Sequence, residues 1–577
     1  MLELGFGLAR DTPLNITSQT ESAAGVTPAQ RIGWALLIAA TLYICYFSNL
    51  NVIGFVGPDE PRYAWIARDM AETGDWVTPR LYNRPWFEKP PLLYWGGAVF
   101  FKLLGAGHPE VAGRLPSAIC ALIATLALAW LAWRTYGERC ARWLLLLLPT
   151  SVGMIGFSHA AATDMPFAGM LTMAMVCAAV VLGLTSSENT PILPYTPWAA
   201  LLLFGFFLGL AVLAKGPAAV ILCGGTVFFW AVFTKRWRAA LRLLHPAAIA
   251  SFCVTALPWY ILCARRNPDF FRVFIIEHNF KRYLTPEFQH IQPFWYYLPI
   301  LLIAFLPWVT TLFWSLWIGV RTRGYHPLTS LLLSWSAFCV LFFSISRSKL
   351  PGYILPAVPA IGLLLSRAVQ VLGPAHIKSC RRFAMGGSLF FAAISVTLYA
   401  ISHAATGQPH LNSKAGTSFA LLAVSFSLAN FLLTLALEHG ERRSAVALLA
   451  CPAVPIFLAV FFASWFAWSV FENDPSGKTM AVEIRRPFAE ATDVFVGPIS
   501  RGKRYGLTFY LNREVKDWDP THPRVGTLVL EKKNCREVVP APYACGDADW
   551  LGRAGAFVYS ITVNDSFGLP GSGGQPK

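Results

Sequence analysis

Asp59 and Glu60 follow Gly57-Pro58 and precede Pro61, just where the first strongly apolar run of the chain ends. A carboxylate at the edge of a bilayer is costly unless it has a partner or a task. Here it could take a proton from an attacking hydroxyl or carry a metal ion; the alternative is a solvated interfacial acid. The segment that follows, GPDEPRYAWIARDMAETGDWVTPRLYNRPWFEKPPLLYW, places seven charged groups in its first nineteen residues, Arg62 among them. Further along, Glu88-Lys89 runs into Pro90-Pro91. A residue before proline is pushed to extended backbone, so Lys89 is kept out of a helix, and its compact charge suits a phosphate.

Three other places could join this chemistry. Asp164, in SHAAATDMPF, lies at the start of a span and reads either as a helix cap or as a participant in a site. His159 nearby reads as structural. In FIIEHNFKRYLTP, Glu277, His278, Lys281 and Arg282 fall within six residues. Arg282 suits bidentate contact with a lipid phosphate. Glu88 and His278 could share a divalent ion, although two ligands fall short of a set. The third place is SRSKLPGYILP, with Arg347 and Lys349 wedged between two apolar runs.

The elements that must hold these groups are transmembrane helices. Of the 577 residues 55% are hydrophobic and 14% are charged, against about 25% charged in soluble proteins. Apolar runs near twenty residues long recur, enough to cross about 30 Å of hydrocarbon. Thirteen spans are expected, near 33–53, 115–133, 141–157, 165–184, 198–214, 217–233, 245–264, 294–318, 328–345, 352–372, 383–403, 418–437 and 446–470. Residues 93–104 read as a short interfacial helix. No cleavable signal is expected, and residues 1–32 read as a cytosolic tail.

The net charge of +16 invites a nucleic-acid reading, but its distribution excludes one. Lysine and arginine gather in alternate short loops: 134–142, 234–244, 319–327, 373–382 and 438–445 are basic, while 185–197 is not. This is the pattern of cytoplasmic loops. It puts the N-terminus inside and the C-terminal region outside. Basic groups in the 54–114 loop, at Lys215, in the 265–293 loop and at Arg347 and Lys349 then lie on the outer side against the bias. For the 347–349 pair an anionic ligand at the outer boundary is the preferred explanation.

From 472 the composition changes. DVFVGP, YGLTFYL, TLVLE and AFVYSI read as short strands of a small α/β domain at 472–565, followed by a disordered end at 566–577. Ten of the twelve cysteines lie in or beside apolar runs; Cys535 and Cys545 stand apart in this tail and could pair in an oxidising compartment. There is no convincing internal repeat.

Taken together, DEPRYAWIARDM, GDWVTPRL, WFEKPPLLYW, ATDMPF, LAKGP, EHNFKRY, SKLPGYILP and YGLTFYL resemble the bacterial membrane glycosyltransferases of the GT-C class. Within it they are similar to the undecaprenyl-phosphate-aminoarabinose:lipid A transferases, with protein O-mannosyltransferases as more distant kin. The resemblance implies a polytopic GT-C fold in the inner membrane. It also implies a sugar, 4-amino-4-deoxy-L-arabinose or a relative, moved from a polyisoprenyl-phosphate carrier to lipid A or another envelope acceptor. Displacement would be direct and inverting. Asp59 would be the essential acid, with Glu60 and Asp164 as further catalytic residues. Lys89, Arg282, Tyr353 and Lys349 would surround the carrier phosphate, and Glu88 with His278 would flank a candidate metal. Asp164, Lys215 and Arg62 would line the same cavity. Where the family often has Tyr before Phe-Glu-Lys-Pro, this chain has Trp86. The competing expectations are a GT-C enzyme acting on protein hydroxyls or another glycolipid, and a lipid-linked sugar transporter. The latter class often shows repeats and broken mid-membrane helices.

Overall fold

A computed structural model describes residues 27–185, 197–281, 291–321, 326–371, 374–403, 413–437, 453–462, 473–485 and 493–563, apart from 520, 523, 532, 540–542, 547–548 and 552–554. Among these residues, nine helices are long and apolar enough to cross a membrane. Two bent helix pairs raise the number to eleven. The chain is a polytopic helical membrane protein.

The expected spans 141–157 and 294–318 are not straight helices. Glu138–Leu147 and Val152–Ser158 meet at 63°, and Tyr297–Ala304 and Val309–Trp317 at 113°. Pro149 and Pro307 stand in the two breaks. A proline has no N–H to continue the ladder and its ring crowds the preceding turn. The expected span at 217–233 is the 17-residue helix Ala218–Thr234. Most of 446–470 lies outside the described residues.

The centre of the bundle is Asp164–Val181, with 83% of its apolar stretch buried, followed by Pro351–Gln370 with 72%. Pro28–Tyr46 and Pro246–Arg266, at 22% each, line the periphery. The most enclosed helix therefore begins at Asp164, and the next begins two residues before Tyr353.

The segment after the first span forms its own structure on the bundle. Asp59–Thr73 is a helix that opens with two acids and closes on Gly74 in the left-handed region. Carboxylates in a first turn are stabilised by the unpaired N–H groups there. The helix packs against the short apolar helix Leu92–Leu104. Between them lies a two-stranded ribbon, β1 (Arg80–Leu81) and β2 (Arg84–Pro85).

The C-terminal region folds around a six-stranded sheet. It comprises β3 (Val494–Val496), β4 (Lys516–Asp517), β5 (Gly526–Leu530), β6 (Tyr543–Cys545), β7 (Asp549–Leu551) and β8 (Ala556–Val563). The order is β4-β3-β5-β8-β6, with β7 also on β8; β3 is parallel to β4 and β5, and the remaining pairs are antiparallel. A disulfide joins Cys535 to Cys545.

YGLTFYL is not a strand: it forms most of the helix Arg501–Leu511. Parallel strands need a long crossover, and this helix is the connection from β3 to β4. Its apolar run is buried on two sides, by the sheet and by the first loop. Leu507 packs with Val494, Val496 and Val529, while Phe509 packs with Phe55 and Ala64. Burial on both sides removed the 3.6-residue apolar period that would have marked a helix.

Candidate active site

Asp59 and Glu60 are adjacent in sequence but successive helical residues point about 100° apart. Asp59 keeps its side chain about half exposed. Glu60 turns inward, with its side chain 10% exposed. Its Oε1 accepts from Arg114 Nε at 3.0 Å and from the Ala161 N–H at 2.7 Å. Its Oε2 accepts from Arg114 Nη2 at 2.8 Å and from the Val56 N–H at 2.7 Å. A carboxylate offers about four acceptor positions, so Glu60 is saturated by protein groups.

Asp59 instead pairs with Arg62, one turn along the same helix. Arg62 is the hub of the cluster. Nε donates to the Pro58 carbonyl at 2.8 Å, Nη1 to Glu88 Oε2 at 3.0 Å, and Nη2 to Asp59. Burial alone would lower the Arg62 pKa, but the charges of Glu88 and Asp59 outweigh it and hold the pKa above its usual value. Lys89 Nζ lies 3.9 Å from Glu88 Oε1, and both side chains are nearly buried. The Tyr63 and Tyr94 rings pack tilted at 58°, with centres 5.7 Å apart. Burial, then the charges of Glu88 and Asp59, push the Tyr63 hydroxyl well above its ordinary pKa. Among the described residues Tyr94 Oη and Trp86 Nε1 are buried without a hydrogen-bond partner.

The second cluster spans the bundle. Lys215 Nζ donates to Asp164 Oδ1 at 2.5 Å and stands 4.5 Å from the centre of the Tyr353 ring. Asp164 is the first residue of its helix and Thr163 precedes it as the N-cap. The carboxylate therefore serves Lys215 rather than capping. Gly352 makes this possible: a Cβ there would lie 2.5 Å from Asp164 Oδ1. Lys349, four residues before Tyr353, is buried and donates to the carbonyls of Ser346 at 2.6 Å and Gln292 at 3.1 Å. Burial, and then Arg347, pull its pKa below the ordinary lysine value.

The two clusters meet at one turn. Ala161, whose N–H binds Glu60, lies three residues before Asp164. His159, on this turn, is held between the carbonyls of Ser48 at 2.8 Å and Ile155 at 2.9 Å. That fits a structural histidine.

Arg282 lies outside the described residues, and the side chain of His278 is likewise not described. Glu277 pairs with Arg272 at 2.8 Å. No group of three metal-ligating side chains exists among the described residues. Glu88, the other expected ligand, is committed to Arg62 and Lys89. Two cations on one carboxylate do not fit a metal ligand, and no chemical step here is routed through an ion.

Sequence reasoning missed Arg114, the residue that locks Glu60. Its signal was a lone arginine at the entrance of an apolar span. It also missed the anchoring role of Asp75. Oδ1 of Asp75 accepts from the N–H groups of Val77 at 3.0 Å and Thr78 at 3.2 Å, and from Arg266 at 3.1 Å; Oδ2 accepts from Arg80 at 2.6 Å. Asn267 to Thr78 and Trp259 to Val77 complete this clamp between the first loop and the end of Pro246–Arg266. Burial opposes ionisation of Asp75, but Arg80 and the two N–H groups prevail and hold its pKa below the ordinary value. The sign follows: the clamp's contribution to stability is present above about pH 3.9, the free carboxylate value. It is lost as pH falls through the lower folded value. Asp75→Asn is expected to flatten this acid limb of a thermal-unfolding series; an unchanged limb would refute the clamp.

Residues 32–274 match the family described as dolichyl-phosphate-mannose-protein mannosyltransferase. The chain is 30% identical over 427 residues to the undecaprenyl phosphate-alpha-4-amino-4-deoxy-L-arabinose arabinosyl transferase of Aeromonas hydrophila, covering 73% of this chain and 75% of that one. It is 33% identical over 355 residues to the protein of the same name from Edwardsiella ictaluri. That match covers 60% of this chain but only 61% of the relative, so the chain spans about three fifths of its length. The crystal structure of apo ArnT from Cupriavidus metallidurans superposes with a TM-score of 0.74 at 25% identity, over 93% of this chain and 99% of that one. At 30% identity over three quarters of the Aeromonas hydrophila protein, the chain belongs to the undecaprenyl phosphate-alpha-4-amino-4-deoxy-L-arabinose arabinosyl transferase family.

Proposed function

We propose that the protein transfers 4-amino-4-deoxy-L-arabinose from undecaprenyl phosphate to lipid A, at the periplasmic face of the bacterial inner membrane. The observation that carries this reading is the half-exposed Asp59, held by Arg62 beside Lys89 at the end of the first span. An acid reachable from outside, surrounded by cations at a membrane edge, suits a substrate with an anionic head and a lipid tail. The names of the relatives supply the donor. The Cys535–Cys545 disulfide supports an oxidising, outer location for the C-terminal domain, and the basic loops support a cytoplasmic N-terminus.

In this mechanism an oxygen of the acceptor attacks the anomeric carbon of the sugar. The bond from that carbon to the carrier phosphate breaks, and the phosphate monoester leaves with the electron pair. Asp59 orients the nucleophile and takes its proton. Lys89, Lys349 and Arg282 stabilise charge on the leaving phosphate, with Tyr353 packed beside it. Attack opposite the leaving group inverts the carbon. Asp164 and Lys215 line the cavity, and Lys215 is held in place by its carboxylate. Glu60 is read as a positioning group, since its acceptor positions are filled.

The test is mass spectrometry of lipid A from cells with and without the intact gene. One added aminopentose, present only with the gene, is the expected result. An unchanged lipid A with a sugar lost from another envelope pool would move the acceptor and refute lipid A. Lys89→Ala and Arg282→Ala are each expected to weaken undecaprenyl phosphate binding by about tenfold or more, the scale of a charge-assisted contact. Unchanged affinity in both variants would refute the phosphate assignment.

A further inference from the structure

The Arg62 hub is not built by the membrane domain alone. Its three hydrogen bonds, to Pro58, Glu88 and Asp59, are all made by N–H groups in the guanidinium plane. They fix the fork within that plane and restrain it little along the normal. Ring faces supply the rest. The guanidinium carbon stands 5.4 Å from the centre of the Trp86 ring, 5.9 Å from that of Tyr63, and 5.3 Å from that of Tyr505. Tyr505 belongs to the helix Arg501–Leu511 of the C-terminal domain, 443 residues further along the chain.

That helix is fixed on both sides of Tyr505. At its start, a Cβ on Gly502 would lie 3.2 Å from the Cα of Gly57, so backbone packs on backbone two residues before Asp59. At its end, the Tyr510 hydroxyl donates to Glu110 at 2.8 Å and accepts from the Phe55 N–H at 2.9 Å. Lys478 adds an ion pair to Glu110 at 2.7 Å. Phe509 meets Phe55 edge-on at 5.0 Å. Tyr505 is thus delivered to Arg62 by a docked element.

We infer that Tyr505 is a positioning residue of the transfer site: its ring holds the face of Arg62, and so the C-terminal domain helps to set the geometry of Asp59 and Glu88. This rests on the transfer reading above. A cation over an aromatic face is worth more when desolvated, and the Arg62 side chain is only 7% exposed. Without the ring, water reaches the guanidinium and the fork can tilt away from Asp59.

The test is steady-state transfer by the full-length protein in lipid vesicles, with undecaprenyl-phosphate-linked aminoarabinose as donor and lipid A as acceptor. Tyr505→Met is expected to lower kcat about tenfold with the donor KM changed by less than about twofold. Tyr505→Phe and Tyr505→Trp keep a ring face and are expected to stay within about twofold of the parent kcat. In an Arg62→Lys background, which lacks the planar fork, Tyr505→Met is expected to add no further loss. Unchanged kcat in Tyr505→Met would overturn the inference. So would an equal loss in Tyr505→Phe, or a full additional loss on the Arg62→Lys background. The ring-retaining variants keep the inference falsifiable if Tyr505→Met fails to fold. A parent protein that fails to use this donor refutes the transfer reading and this inference with it; an active parent indifferent to Tyr505 refutes the inference alone.

Discussion

Asp59→Ala is expected to cut sugar transfer by about 10²–10⁴-fold, the usual worth of a positioned general base, while the protein still inserts and folds. The expectation rests on exposure. Side-chain exposure is 51% for Asp59, 11% for Glu88 and 10% for Glu60. Of the three carboxylates around Arg62 and Arg114, Asp59 is thus the one that an acceptor can reach. Asp59 itself is half exposed and the buried Arg62 keeps Glu88 as a partner, so no buried charge is left unpaired and stability should change by only about 1 kcal/mol. Asp59→Asn sharpens the test: it keeps an oxygen for Arg62 but loses the basic site, and should be nearly as inactive. Turnover would be followed by mass spectrometry of the acceptor lipid in cells and in vesicles. Parent-like activity in either variant would end the assignment of Asp59 as the acid of the site.

Much of this site was legible in the sequence because its members cluster. Asp59, Arg62, Glu88 and Lys89 lie within one proline-rich segment, and their charge density beside an apolar run marks them. What could not be read was which neighbour does what. Asp59 and Glu60 share composition and context; only the helix phase turns one outward and the other inward. Apart from the nearby Val56 N–H, the partners of Glu60 lie 54 and 101 residues away, at Arg114 and Ala161. The Asp164–Lys215 pair had both members named but not their contact, which depends on Gly352 leaving space at a third helix.

The fold divides in the same way. Hydropathy marks where helices are, since burying or embedding about twenty apolar residues leaves a local signature. The bends at Pro149 and Pro307 escaped because mean hydropathy over a span-length window stays high across both runs, although the prolines that break them stand in the sequence. YGLTFYL misled for a related reason. A segment buried between a sheet and the first loop carries no alternation of polar and apolar residues, so helix and strand look alike. The contact that brings Tyr505 to Arg62 has no local trace at all.

Arg114→Met is expected to destabilise the folded protein by about 3–5 kcal/mol, the cost of breaking a buried ion pair on one side. All five guanidinium N–H positions are accounted for by this one environment. Nε and Nη2 bind the two oxygens of Glu60 at 3.0 and 2.8 Å. Nη1 donates to the carbonyls of Leu50 at 2.7 Å and Ile53 at 2.9 Å, and Nη2 also donates to that of Gly54 at 2.8 Å. Those carbonyls lie in the turn segment after the first span and set the path of the chain into Gly57-Pro58 and Asp59. Methionine fills similar space but leaves Glu60 charged and the carbonyls unpaired. Lysine should rescue little, because three donors on a single nitrogen cannot reproduce a planar fork. Adding Glu60→Gln to Arg114→Met should recover part of the loss, since the stranded charge is removed. Thermal unfolding in detergent or vesicles would measure all three. The comparison also separates the neighbouring acids: Glu60→Gln should lower stability and activity together, whereas Asp59→Asn should lower activity alone. An Arg114→Met protein as stable as its parent would show that the loop does not depend on this pair.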